Sequence, residues 1–265
     1  MSLSYSSGVI ALFDNLWLID PFQIISANNV VISLCEISSV SKQVAWVGGI
    51  SAIIQNVSAN ITNIYMQNII VRSISNISSF GGIFGKSLDS KSIISNLQYE
   101  NNVLIAEIQN FVHVGNIIGY ANSSNLDIIG SFIKNTNISI NINNYSIIGG
   151  LCGFVQISNI SIMRTKICDI DIHSIGGNLT YTGAFVGQII NNIFNTVIIT
   201  SFHVDSIYMF SSSIFIYQHM IVQSNVNINT KINVYKSYSS GFSFMNDVSI
   251  TNCPLFLVNS TIIGC

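Results

Sequence analysis

The chain has 265 residues, room for one large domain or two small ones, with a net charge of −2 and 8% charged residues against roughly 25% in an ordinary globular domain. That balance excludes an electrostatic footprint for nucleic acid or an anionic membrane. A 49% apolar content excludes a disordered chain, which needs low hydrophobicity and high charge.

The residue types point to an all-β fold. Ile, Val, Thr, Tyr and Phe favour strands, Asn, Ser and Gly favour turns, and the good helix formers are scarce. At the N-terminus, residues 1–20 lack the basic region of a secretory signal, and Asp14 interrupts the apolar stretch from Val9 to Ile19. The best apolar runs, Gly8 to Phe13 and Cys253 to Val258, fall far short of the roughly 20 residues of a spanning helix. No transmembrane helix is expected; a membrane β-barrel, with its short alternating strands, is the minor alternative. Leu12 to Phe22, with Asp14, Trp17, Asp20 and Pro21, reads as a cover for one end of the fold.

From residue 48 a glycine motif recurs: Gly48-Gly49-Ile50-Ser51-Ala52, Gly81-Gly82-Ile83-Phe84-Gly85, Gly115-Asn116-Ile117-Ile118-Gly119, Gly149-Gly150-Leu151-Cys152-Gly153 and Gly183-Ala184-Phe185-Val186-Gly187. The first glycines are 33, 34, 34 and 34 residues apart, and the closing glycines Gly85, Gly119, Gly153 and Gly187 are each 34 apart. Thirteen residues after each of the first four anchors stand Ile61, Ile94, Ile128 and Ile162. Further apolar runs follow at 69–71, 103–105, 138–140 and 170–172. Three apolar stretches separated by Asn/Ser turns predict a coil of three strands and three corners. A helical repeat of the same period would alternate at 3.6 residues, whereas Asn137-Ile138-Ser139-Ile140-Asn141-Ile142 alternates at two.

The expected fold is a single-stranded parallel β-solenoid, a right-handed β-helix forming one domain over 1–265. Its regular repeats span 48–187, with degenerate coils at 8–47 and 188–265. Weaker anchors at Gly8, Ser212–Phe215 and Ser240–Phe244 bring the expected total to about eight coils with a 29–34-residue period. Stacking sets Ile on Ile and Asn on Asn about 4.8 Å apart. Glycine at the anchor allows a tight bend or a close backbone approach. The C-terminal runs 255–258 and 261–263 are uncharged and strand-like, an open edge that invites end-to-end self-association.

The anchors at Gly81–Gly85, Gly149–Gly153 and Gly183–Gly187 resemble the GLUG repeat of bacterial and protist surface proteins. The best match is 149–154 followed by Ile160-Ser161-Ile162. The resemblance covers about 48–190. It lacks the usual Asn-Cys-Tyr-like step after the anchor and carries fewer charges. It implies an extracellular, adhesin-like β-solenoid with no catalytic residues. A cell-surface location is expected if the chain belongs to a longer secreted protein.

The chemistry-bearing residues are few. Asp169, Asp171 and His173 alternate with Ile170 and Ile172, so they are expected on one strand face. Paired carboxylates on such a face are what a polysaccharide-cleaving β-helix uses, which makes a lyase or hydrolase the alternative function. A polar outer face is the plainer reading. His113, His203 and His219 are scattered, and no nucleophile motif, phosphate loop or metal spacing stands out. No cofactor and no enzyme activity is expected; the partner is a protein or glycan. The odd set Cys35, Cys152, Cys168, Cys253 and Cys265 predicts free thiols. Tyr65, Tyr99, Tyr120, Tyr145, Tyr181 and Tyr208 recur about once per coil at no fixed offset, which predicts core or corner packing before a sugar-stacking face. Nine Asn-x-Ser/Thr sequences, at Asn56, Asn60, Asn76, Asn122, Asn137, Asn144, Asn159, Asn178 and Asn259, would be glycan acceptors in a secreted eukaryotic protein.

Overall fold

The computed structural model describes residues 23–190, apart from the side chains of Gln23 and Ala184, and Ser211 and Ser212. Outside these it describes only the backbones of the strands between Leu3–Ser7 and Thr261–Ile263. Strands stack in parallel into a β-solenoid of about five turns, with no helix among the described residues. One turn is typified by Phe84–Leu88, Lys91–Glu100 and Val103–Gly115, after which Ile118–Asn122 begins the next.

The longer strands bend, so each turn has five short sides where the sequence suggested three. They run over 84–88, 91–95, 97–100, 103–108 and 111–115 in this turn, and are called sides A to E. Three of the corners are left-handed residues stacked in columns. Asn56, Asp89, Ser123 and Ile157 mark the A–B corner; Asn29, Asn63, Asn96, Gly130 and Arg164 the B–C corner; Leu34, Asn68, Asn101, Asn135 and Asp169 the C–D corner. Asn tolerates this backbone best, which is why it dominates the columns. A single left-handed residue shifts the alternation by one, so inward residues across a corner are three apart, as with Ile94 and Leu97. Runs that look like one strand in the sequence therefore turn without losing their apolar face.

The register inside the regular repeats is the expected one. Ile61, Ile94, Ile128 and Ile162 pair in succession and are all buried. Val71, Leu104, Ile138 and Ile172 form a second buried column. Polar corners are linked from turn to turn. Asn63 donates to Asn28 and Asn29, Asn96 to Asn63, Asn135 to Asn101, Asn159 to Asn125 and Asn178 to Asn144, at 2.9–3.2 Å. The buried hydroxyls of Ser90, Ser124 and Ser158 donate to carbonyls of their own turn and accept an amide from the turn before. These ladders satisfy buried polar groups without ionised side chains.

The outer repeats depart from the expected period. Gly183 pairs with His219, 36 residues on, so Ser212 is not the next anchor. Tyr238–Ser240 pairs below His203 on another side of the turn, while Gly241 and Phe242 lie outside the described residues. Ser7 pairs with Gly48, and Gly8 lies outside the described residues. Within the proposed N-terminal cover, Ile10–Asp14 is a strand paired with Ser51–Gln55 and not a cap; 15–22 lie outside the described residues.

Candidate functional site: the aromatic seam

The E–A corner is where the anchors act. Sides E and A meet backbone to backbone across successive turns. A methyl group on Gly48 would sit 2.8 Å from the amide nitrogen of Gly85; on Gly81, 2.9 Å from that of Gly119; on Gly115 and Gly149, 2.8 Å from those of Gly153 and Gly187. None of the nine anchor glycines, from Gly48 to Gly183 and Gly187, has a positive φ. Of the two roles open to them, close approach is the one they fill.

This approach folds the corner inward, so the outward side chains of sides E and A face one another. They are the residues two before each first glycine and five after it: Trp46, Ser79, His113, Ile147 and Tyr181 on one flank, Ile53, Lys86, Tyr120, Phe154 and Gln188 on the other. His113 stacks on Phe154 at 4.9 Å and 12°, and lies 5.1 Å from Tyr120. Phe111 stacks on Tyr145 at 4.7 Å and 9°, and Tyr145 meets Tyr181 at 5.7 Å. The Lys86 ammonium sits 5.1 Å from the Trp46 ring and 5.2 Å from the Tyr120 ring. Such contacts are attractive through the ring quadrupole. Tyr120 donates to Gln156 at 3.1 Å and Tyr145 to Gln188 at 3.3 Å. Trp46, Lys86, Phe111, Tyr120, Tyr145 and Tyr181 remain partly exposed, forming a strip along the stack.

Electrostatically the seam is one-sided. Glu36, Arg72, Asp127 and the other charged residues between 24 and 190 stand on sides B to D or at corners, and Lys86 alone stands in the seam. Among the described residues Lys86 has no carboxylate partner; the ion pair is Arg72–Glu36 at 3.6 Å, and Asp171 lies 2.8 Å from His173 Nε2. Burial lowers the Lys86 pKa and raises those of Tyr120 and Tyr145, in the last case with help from Tyr181.

His113 is 7% exposed, and its Nδ1 lies 3.1 Å from the Ser79 hydroxyl. Burial, then the charge of Lys86, pushes its pKa down to about 3. An unfolded histidine titrates near 6.5, so the unfolded chain takes up the proton first. Stability is therefore full above about pH 6.5 and declines as pH falls towards 3, by at most about 1.4 kcal/mol per pH unit. Urea midpoints at pH 7.5 and 4.5 check this: the wild-type midpoint drops on acidification, and His113→Phe removes most of the drop.

The acidic cluster is arranged otherwise than its alternation suggested. Asp169 occupies the left-handed C–D corner at φ 54°, below Asn101 and Asn135, and leaves the strand face. Asp171 and His173 remain together on side D, paired and partly exposed. Cys35 and Cys152 are free thiols, with burial raising Cys152 to about 12, and Cys168 is buried; Cys253 and Cys265 lie outside the described residues. Of the tyrosines, Tyr99 is wholly buried, whereas Tyr120, Tyr145 and Tyr181 gather at the seam. The side chain of Tyr208 lies outside the described residues. The seam tyrosines had no fixed offset because they come from both flanks and from two positions on side E. Reading positions relative to the anchor, rather than by residue type, would have found the seam.

Fold and site together define a parallel β-solenoid with an inward-folded aromatic seam. Compared with known proteins, the chain matches no family profile, no curated protein and no solved structure.

Proposed function

We propose that this chain is a non-catalytic interaction scaffold of the surface-adhesin kind, a GLUG-type repeat protein that presents its seam to a glycan or protein partner. The observation that carries this reading is the strip of partly exposed rings with one cation and no carboxylate, repeated along a stack. Solenoids supply long regular faces for binding, and aromatic anchors dominate binding energy where they occur. The finer features of the fold belong to the same reading: a right-handed turn, as parallel crossovers prefer, eight coils over 1–265, and end-to-end association through open edges. An extracellular or cell-surface setting would suit it.

Binding of the purified chain to a glycan array and to intact cells tests the proposal. Lys86→Ala and Tyr120→Ala are each expected to weaken binding about tenfold, the loss of one good contact, while Asp171→Asn leaves it unchanged. Cleavage of a polysaccharide that Asp171→Asn abolishes would overturn the proposal in favour of a β-helix lyase or hydrolase using Asp169 and Asp171. The observation favouring that second reading is the Asp171–His173 pair; the corner position of Asp169 works against it.

A further inference from the structure

The single 33-residue step between Gly48 and Gly81 has a location. Ile70 pairs with Glu36, 34 residues back, but Ile77 pairs with Val44, 33 back, so the missing residue falls between sides D and E. Asn76 alone turns this corner, whereas Gln109 and Asn110 share it in the next turn, where Ile108 opposes Ser75 and Phe111 opposes Ile77. The short corner is set back between longer ones, and a hollow of about 440 Å³ opens over it. That volume lies within the range of small-ligand sites, roughly 300–1,000 Å³.

The chemistry of the hollow is specific. Asn76, Gln109, Asn141 and Asn143 supply amides, each able to donate and accept. Asn76 Oδ1 is buried without a hydrogen-bond partner. Ile74, partly exposed, supplies an apolar wall, while Ile108 beneath it belongs to the core. Lys42 and Glu107 contribute one charge of each sign, so the site is neutral overall, and among the described residues neither joins an ion pair. Paired donors and acceptors match neighbouring hydroxyls, and an aliphatic wall matches the C–H face of a pyranose ring. We propose that this notch binds a neutral sugar residue. It opens at the D–E corner, beside the start of side E where Phe111 and Tyr145 stand, but none of its lining residues belongs to the seam, and it does not depend on the seam's function.

Calorimetric titration and saturation-transfer NMR on the full chain test the notch. The probes are methyl glucoside, methyl galactoside and N-acetylglucosamine, with glutamine as the zwitterionic control. At least one sugar is expected to bind and glutamine not to. Gln109→Ala and Asn141→Ala, both at exposed positions, are each expected to weaken sugar binding about tenfold, the loss of one or two hydrogen bonds. Inserting one Asn after Asn76 restores the 34-residue step and should abolish binding. Binding that survives all three changes overturns the site, as does binding of glutamine alone or of no probe. Sugar binding lost in the notch variants but kept in Lys86→Ala separates this site from the seam.

Discussion

Ile128→Asp is expected to leave the chain unfolded or nearly so. Ile128 lies between Ile94 and Ile162 in a fully buried column, 0% exposed, with no charged group beside it in the stack. A carboxylate there has no partner, so it must be buried unpaired or protonated at a cost. The penalty exceeds about 4 kcal/mol, against a total stability of about 5–15 kcal/mol for a typical domain. Because neighbouring turns support each other, the loss propagates along the stack. Circular dichroism and urea titration read it directly. Ile128→Val, which keeps the column apolar, should cost only about 1 kcal/mol. A folded Ile128→Asp protein with wild-type stability would show that the column is not the core of the stack.

Gly119→Ala is the second large effect, from one added methyl group. That carbon would lie 2.5 Å from the Phe80 amide nitrogen, 2.7 Å from its carbonyl oxygen and 2.8 Å from that of Gly85. All three are backbone atoms, so no side-chain rotation relieves the clash, and sides E and A must separate. A destabilisation of about 3 kcal/mol is expected, with loosening of the seam over the corner. The contrast is Gly130, whose φ of +60° places it in the B–C corner column and whose nearest neighbour is a side-chain amide oxygen at 3.1 Å. Gly130→Asn installs the residue used above it at Asn63 and Asn96, and should change stability by less than about 1 kcal/mol. Thermal melts of the two variants separate the two kinds of glycine. Equal effects would show that the anchors serve backbone conformation rather than close approach.

These glycines illustrate how much of the protein its sequence determines. Period, strand class and the buried columns at Ile128 and Ile138 follow from one fact: stacked turns place like residues over like, so a core position recurs at a fixed interval. Free burial of Cys152, the amide ladders at Asn63 and Asn135, and the anchor register share that origin. The bends do not. Whether Asn96 or Asp169 turns the chain is a matter of one backbone angle, which alternation along a strand does not report, so alternation predicts three sides where there are five and puts Asp169 on a face it does not occupy. The seam is also a tertiary product. Trp46, Lys86, His113 and Tyr120 come together only because two glycine-bearing strands pack backbone to backbone and fold the surface inward. The notch at Asn76 stands between these cases. Its cause, a missing residue, is visible as a 33-residue step; its place and lining are set by which corner absorbs the deletion, and only the pairing of neighbouring turns decides that.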